Sequence, residues 1–215
     1  MSRPPITGLY AITDPTLTPD DALLGACHAA LRGGVRLLQY RDKTAPPQRQ
    51  QQRAKQLQAL CQQYGAQLII NDNVDLALAC GAAGVHLGQS DGDIALARQR
   101  LGDGAIIGVT CHNSLQLARQ AEQAGASYAA FGRLFPSHSK PQAPPASLAT
   151  LRQATRTLTL PVVAIGGINA DNASQVLACG VPVLAMIHGL FAAADIEQQA
   201  HQLNHLILQA QLKQQ

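Results

Sequence analysis

The stretch QLIINDNVDLALACGAAGVHL, residues 67–87, decides the fold. Gln67–Asn71 is a short apolar run with two β-branched isoleucines. Asn73–Cys80 spaces its apolar residues for a helix, and Gly81 follows where a helix would stop. A second short run, Gly84–Leu87, comes directly after. Run, helix and run in this order form a strand–helix–strand unit. Its two strands are parallel, because the helix is a crossover connection.

The same alternation extends in both directions. Strands are expected at Leu9–Thr13, Arg36–Tyr40, Gln67–Asn71, Gly84–Leu87, Ile106–Val109, Tyr128–Phe131, Val162–Ile165 and Val183–Ile187. Helices are expected at Asp20–Arg32, Pro47–Tyr64, Asn73–Cys80, Asp93–Leu101, Ser114–Ala124, Ala146–Thr155, Ala170–Ala178 and Asp195–Gln211. Gly125 and Gly180 repeat the placement of glycine at a helix end just before the next strand. About eight strand–helix units at this spacing predict an α/β fold, a single (β/α)8 TIM barrel over residues 1–215. A doubly wound open sheet is the alternative, but it usually has fewer strands.

Composition narrows the class. Of 215 residues, 47% are apolar and 13% charged, so the chain is not a disordered one. A net charge of +3, with no basic run and only 3% aromatic residues, speaks against a nucleic-acid groove. The N-terminus, MSRPPITGLYAITD, lacks the apolar run of a signal peptide. The longest apolar stretch, Val181–Ala194, is interrupted by Pro182 and His188 and is too short to span a bilayer. The five cysteines are odd in number and widely spaced, with no CxxC pair. They read as reduced thiols of a cytoplasmic protein, those at 27, 61, 80 and 179 lying on helices.

In such a barrel, reactive groups lie at the C-terminal ends of the strands. After strand two, Gln39, Arg41 and Lys43 alternate onto one face; two cations there call for an anion, unless they are a solvated strand end. After strands three and four come Asn71, Asp72 and Asp91. Two carboxylates on adjacent loops suit Mg2+ shared with a substrate phosphate; the competing use is helix capping by Asp72 or Asn73 and by Asp91 or Asp93. Thr110 offers a hydroxyl after strand five. Cys111 and His112 are neighbours on an extended segment and so point apart, which argues against a nucleophile–base pair; His112 and Asn113 read as caps for the next helix. After strand six, Ser137, His138, Ser139 and Lys140 fit an oxyanion or a flexible loop, and residues 136–145 are placed as a lid. Gly166 and Gly167 after strand seven, with Ile187 and His188 after strand eight, occupy a frequent phosphate position of these barrels. His86 reads as a packed barrel histidine, and His28, His201 and His205 as helix residues. No general base or nucleophile stands between the two anion sites. That pattern favours a transfer in which diphosphate departs.

Five motifs in order carry a resemblance: Gln-Tyr-Arg-Asp-Lys at 39–43, Asn-Asp-Asn at 71–73, Gly-Val-His-Leu-Gly-Gln-x-Asp at 84–91, Ser-x-Ser-Lys at 137–140 and Ala-Ile-Gly-Gly-Ile at 164–168. From Leu9 to Phe191 the chain resembles thiamine phosphate synthase. The resemblance implies a Mg2+-dependent enzyme on a (β/α)8 barrel. It would join hydroxymethylpyrimidine diphosphate to a thiazole phosphate through a pyrimidine carbocation, giving thiamine monophosphate and diphosphate. By motif position, Gln39, Arg41, Lys43, Asn71, Thr110 and Lys140 would hold the pyrimidine diphosphate, with Tyr40 and Asp42 counted in the same motif. Arg41, Lys43 and Lys140 would carry the catalysis, and Asp72 and Asp91 would bind Mg2+. Ser137, Ser139, Gly167, Ile187 and His188 would hold the thiazole phosphate, with His138 and Gly166 counted beside them. The chain departs from the family pattern at Ser137 and Ser139 (usually Thr), Thr110 (often Ser), Arg133 (commonly Pro) and His188 (usually Ser). The alternatives are a thiazole tautomerase relative, which needs no diphosphate and metal site, and a non-catalytic phosphate-ligand sensor. A homo-oligomer is compatible with all three.

Overall fold

The computed structural model describes residues 6–136 and 144–213. Ser137, His138, Ser139 and Lys140, with most of the expected lid, lie outside the described residues. Eight parallel strands close into a barrel in sequence order: β1 Gly8–Ile12, β2 Leu37–Tyr40, β3 Gln67–Asn71, β4 Gly84–Leu87, β5 Ile106–His112, β6 Tyr128–Phe131, β7 Val162–Ile165 and β8 Val183–Met186. The ring is closed by β1 against β8, Gly8 opposite Val183 and Ala11 opposite Met186. The helices are α1 Leu23–Arg32, α2 Pro47–Gln63, α3 Val74–Cys80, α4 Ile94–Leu101, α5 Leu115–Gln123, α6 Leu148–Thr157, α7 Ala173–Leu177, α8 His188–Phe191 and α9 Ile196–Leu212.

Strand alternation sorts the apolar residues into two cores. Tyr10, Ile12, Leu37, Ile69, Ile106, Tyr128, Val163, Val183 and Ala185 fill the barrel. Leu9, Leu38, Leu68, Ile70, Val85, Ile107 and Leu184 face outward and pack against the helices. Bulky residues inside a barrel need small partners, and Gly108 is one: a Cβ there would overlap the Tyr128 ring. Five of the described helices start on polar side chains. Asn73, Asp93, Ser114, Ser147 and Asp195 accept the N–H groups of Leu76, Leu96, Leu117, Thr150 and Gln198. Each such cap contributes about 1 kcal/mol. At the opposite end from the cavity described below, the Arg98 guanidinium donates to the carbonyls of Gly102, Ala105 and Gly125 and ties α4 to two loops.

Several strand and helix ends shift by one to three residues from the expectation, and two departures bear on the site. β5 runs on to His112, with a register shift against β6 between Thr110 and His112. A short extra helix, α8, begins at His188, where a loop was expected.

Candidate active site

The C-terminal ends of the strands surround a cavity of about 320 Å3. Gln39, Arg41, Asn71, Thr110, Gly166, Gly167, Ile187 and His188 line it, each from the strand end or loop that the rim rule indicates. Tyr10, Ile12, His86, His112, Arg133 and Asn169 line it as well.

β2 divides its motif between two faces. Gln39 and Arg41 face the cavity, whereas Tyr40 is turned into the outer core, where burial pushes its hydroxyl pKa up to about 12. Tyr40 packs there and does not line the cavity. Asp42 does not line it either. Its carboxylate accepts the N–H groups of Thr44 and Ala45 and the Thr44 hydroxyl. Burial alone would raise its pKa, but these bonds hold it below the ordinary value. It shapes the turn into α2 instead of facing the cavity.

Arg41 is a largely buried cation at this rim. Its guanidinium stands 3.6 Å from the Asp14 carboxylate, with both side chains about 15% exposed. Its buried Nε has no hydrogen-bond partner among the described residues. A buried guanidinium N–H without an acceptor is costly, and an anion in the cavity would supply one. Lys43 does not line the cavity; its Nζ lies 2.6 Å from Asp72 Oδ2 at the exposed edge of the rim.

The competing explanation for the two aspartates is resolved by their neighbours. Asn73 caps α3 and Asp93 caps α4, so Asp72 and Asp91 are not needed for capping. Asp72 has a left-handed backbone, φ 62°, held by its N–H to the His86 carbonyl at 2.8 Å. Asp91 accepts the Gly88 N–H at 2.8 Å across the β4 turn. A non-glycine residue in that backbone region costs about 1–2 kcal/mol, and such residues concentrate at functional sites. Among the described residues, no group of three or more His, Cys, Asp or Glu could hold a metal ion. A two-carboxylate site completed by a ligand's own oxygens remains chemically open.

The two glycines after β7 serve a purpose the sequence reading missed. Gly166 and Gly167 have φ of 101° and 66°, and a Cβ would strike Arg133 at the first and Phe135 and Pro136 at the second. The loop after β6 packs directly on them, with Leu134 and Phe135 donating N–H to the Ile165 and Gly166 carbonyls. Close approach here is to the neighbouring loop, and that contact sets the cavity wall. Gly189 plays the same part against the Ile168 carbonyl and seats α8 on the β7 loop.

On β5 the alternation places Thr110 in the cavity and Cys111 in the outer core. Burial pushes the Cys111 thiol up to about 12, so it is no nucleophile at neutral pH. The expected capping role of His112 is corrected: with φ 51° after the register shift it lines the cavity, and Ser114 caps α5 instead. His28 is not alone on α1 either; its Nε2 is 2.6 Å from the Tyr64 hydroxyl. Tyr10, Ile12 and His86 were findable, because they sit on the inward face of strands whose limits were legible. His112 and Arg133 were not, since a register shift and a loop conformation bring them in.

The thiamine monophosphate synthase family profile matches residues 9–190. A thiamine-phosphate synthase of Alcanivorax borkumensis is 58% identical over 200 residues, covering 92% of each chain. One from Nitrosococcus oceani is 53% identical over 195 residues, covering 91% of this chain and 90% of that one. The solved thiamine phosphate pyrophosphorylase from Pyrococcus furiosus superposes with a TM-score of 0.87 at 36% identity, covering 95% of this chain and 96% of that one. With a closed barrel, a cation-bearing mouth and a match spanning all eight strands, the chain belongs to the thiamine monophosphate synthase family.

Proposed function

We propose that this chain joins 4-amino-2-methyl-5-(diphosphooxymethyl)pyrimidine to a thiazole ethyl phosphate, releasing diphosphate and thiamine monophosphate. The observation that carries the reading is the buried Arg41 Nε, which lacks an acceptor beside a cavity that Gln39, Asn71 and Thr110 also line. A diphosphate in the cavity would give Arg41 its acceptor. Arg41 forks onto phosphate oxygens and Lys43 adds a point charge at the open edge. Lys140 would join them from the loop after β6. Together they stabilise the negative charge that grows on the leaving diphosphate.

Asp72 and Asp91 are hard oxygen donors, free of capping duty, on adjacent loops beside that cationic edge, and they fit Mg2+. When bound, the ion would neutralise further charge on the diphosphate. The thiazole phosphate falls to the other side of the mouth, at Gly167, Ile187 and His188. There these residues line the cavity, and the Ser137 and Ser139 hydroxyls would complete the site. Among the described cavity-lining residues there is no thiol and no carboxylate. In this reading the carbon under attack meets the thiazole nitrogen directly, and the chain's part is to hold the two in line and keep water out. The five free thiols fit a reducing compartment, which supports a cytoplasmic place for the reaction; no helix among the described residues is long and apolar enough to cross a membrane.

The test is incubation of the purified protein with both heterocycles and Mg2+, then oxidation of the product to a fluorescent thiamine derivative. Product that requires both substrates, and that collapses in Asp72→Ala and Lys140→Ala proteins that still fold, is expected. Ligand binding without product would favour a sensor and overturn the reading.

A further inference from the structure

A chain of hydrogen bonds crosses the barrel interior beneath the cavity. Gln39 Nε2 donates to the Tyr10 hydroxyl at 2.6 Å, and the Tyr10 and Tyr128 hydroxyls are 2.9 Å apart. His86 Nδ1 is 2.9 Å from the Tyr128 hydroxyl, and His86 Nε2 is 2.9 Å from Thr110 Oγ1. The chain draws on β2, β1, β6, β4 and β5 in turn, and every member except Tyr128 lines the cavity. The His86 ring also stacks on Tyr128 at 20°, which fixes its plane.

The direction of such a chain is set by its fixed donor. An amide nitrogen only donates, so the Tyr10 oxygen accepts from Gln39 and its own hydrogen goes to Tyr128. Tyr128 then donates to His86 Nδ1. The opposite choice at the tyrosine pair would leave the Tyr10 hydrogen without an acceptor in a fully buried position, a cost of about 1–3 kcal/mol. Burial raises both hydroxyl pKa values well above normal, so neither tyrosine ionises to relieve the order. With Nδ1 accepting, the neutral ring carries its proton on Nε2 and donates it to Thr110 Oγ1.

We propose that His86 is a positioning residue that acts through Thr110: by donating from Nε2, it turns the Thr110 hydroxyl hydrogen toward an acceptor oxygen of the substrate in the cavity. The role rests on the transfer reading above for the identity of that substrate; the direction of the chain does not. It leaves the Thr110 hydrogen free to donate, which suits a phosphate oxygen.

Two measurements test it. In uniformly 15N-labelled resting protein, without substrate, the His86 Nδ1 resonance should fall in the unprotonated, pyridine-like range and Nε2 in the protonated range. A proton on Nδ1 would mean a reversed chain with the Gln39 amide turned over, and would overturn the proposal whatever the enzyme makes. In turnover, His86→Leu and Thr110→Val should each lower kcat/KM about tenfold, the worth of one hydrogen bond. The double variant should fall no further than the worse single one. His86→Gln, whose amide nitrogen reaches toward the Nε2 position, should recover most of the loss. Independent, multiplying effects, or no rescue in folded His86→Gln protein, would reduce His86 to a packing role. If the unsubstituted protein forms no product while the resonances are as expected, the transfer reading falls and the direction of the chain stands.

Discussion

The Lys43 ammonium lies 2.6 Å from Asp72 Oδ2, joining the third residue after β2 to the first residue after β3 at the edge of the cavity mouth. Lys43 is 55% exposed, so this pair is screened by water and contributes little to folding, within about 1 kcal/mol. Its placement serves chemistry at the rim. Lys43→Ala and Asp72→Asn should therefore leave the thermal midpoint nearly unchanged while lowering kcat about a hundredfold, the scale of losing one preorganised electrostatic group. Calorimetry beside the fluorescent product assay separates the two effects; a collapse of stability with the loss of rate would contradict this division.

The loop glycines predict a graded series. Gly81 has φ 69° with open space around its missing side chain, so Gly81→Ala should cost only about 1 kcal/mol. Gly167 has φ 66° and would thrust a Cβ into Phe135 and Pro136, so Gly167→Ala should cost more than about 2 kcal/mol. It should also weaken binding of the thiazole phosphate, because the β6 loop must shift. Urea unfolding of the two variants, with the KM for that substrate, checks both expectations.

Arg98 holds carbonyls from two loops at the end of the barrel far from the cavity. Arg98→Ala should lower stability by about 2 kcal/mol, as charge-assisted bonds to the backbone are lost. Activity per folded molecule should stay the same. A fall in kcat at a temperature where the variant is fully folded would place Arg98 in the working parts of the enzyme.

Cys111→Ala should keep kcat. The thiol faces the outer core, and burial pushes its pKa up to about 12, so it takes no part in bond making. Loss of turnover in a folded Cys111→Ala protein would revive a thiol nucleophile.

Acid stability carries one resolved contribution. Hydrogen bonding from Arg53, outweighing some desolvation and aided by the charges of Arg49 and Arg53, lowers the Asp20 pKa from the ordinary 3.8 to about 2. A depressed carboxylate pKa stabilises the fold above the unfolded value, and the contribution is lost as pH falls from about 4 through about 2. Asp20 is exposed, so the effect should be small and should fade in high salt. Asp20→Asn should flatten the low-salt stability profile in that window and lower stability slightly and evenly at higher pH, neutrality included, as acid titrations followed by circular dichroism would show.

The periodicity of the chain determined the barrel. The limits of β3, β4, β6 and β7 coincide with those read from apolar runs, because a strand buried on both faces is marked by its own composition. The rim rule then drew Gln39, Arg41, Asn71 and Thr110 to one mouth, since a closed parallel sheet sends every strand end the same way. What lay beyond reach depended on contacts between distant segments. Only the folded chain decides that Tyr40 packs outward, that Asp42 belongs to a turn, and that Asn73 and Asp93 release Asp72 and Asp91 from capping. The Gly166–Gly167 pair is explained by a loop from another strand, and His112 reaches the cavity through a register shift. The order of donors from Gln39 to Thr110 arises from residues on five strands meeting inside one cylinder, and no local pattern in the chain encodes a bond between side chains so far apart in sequence.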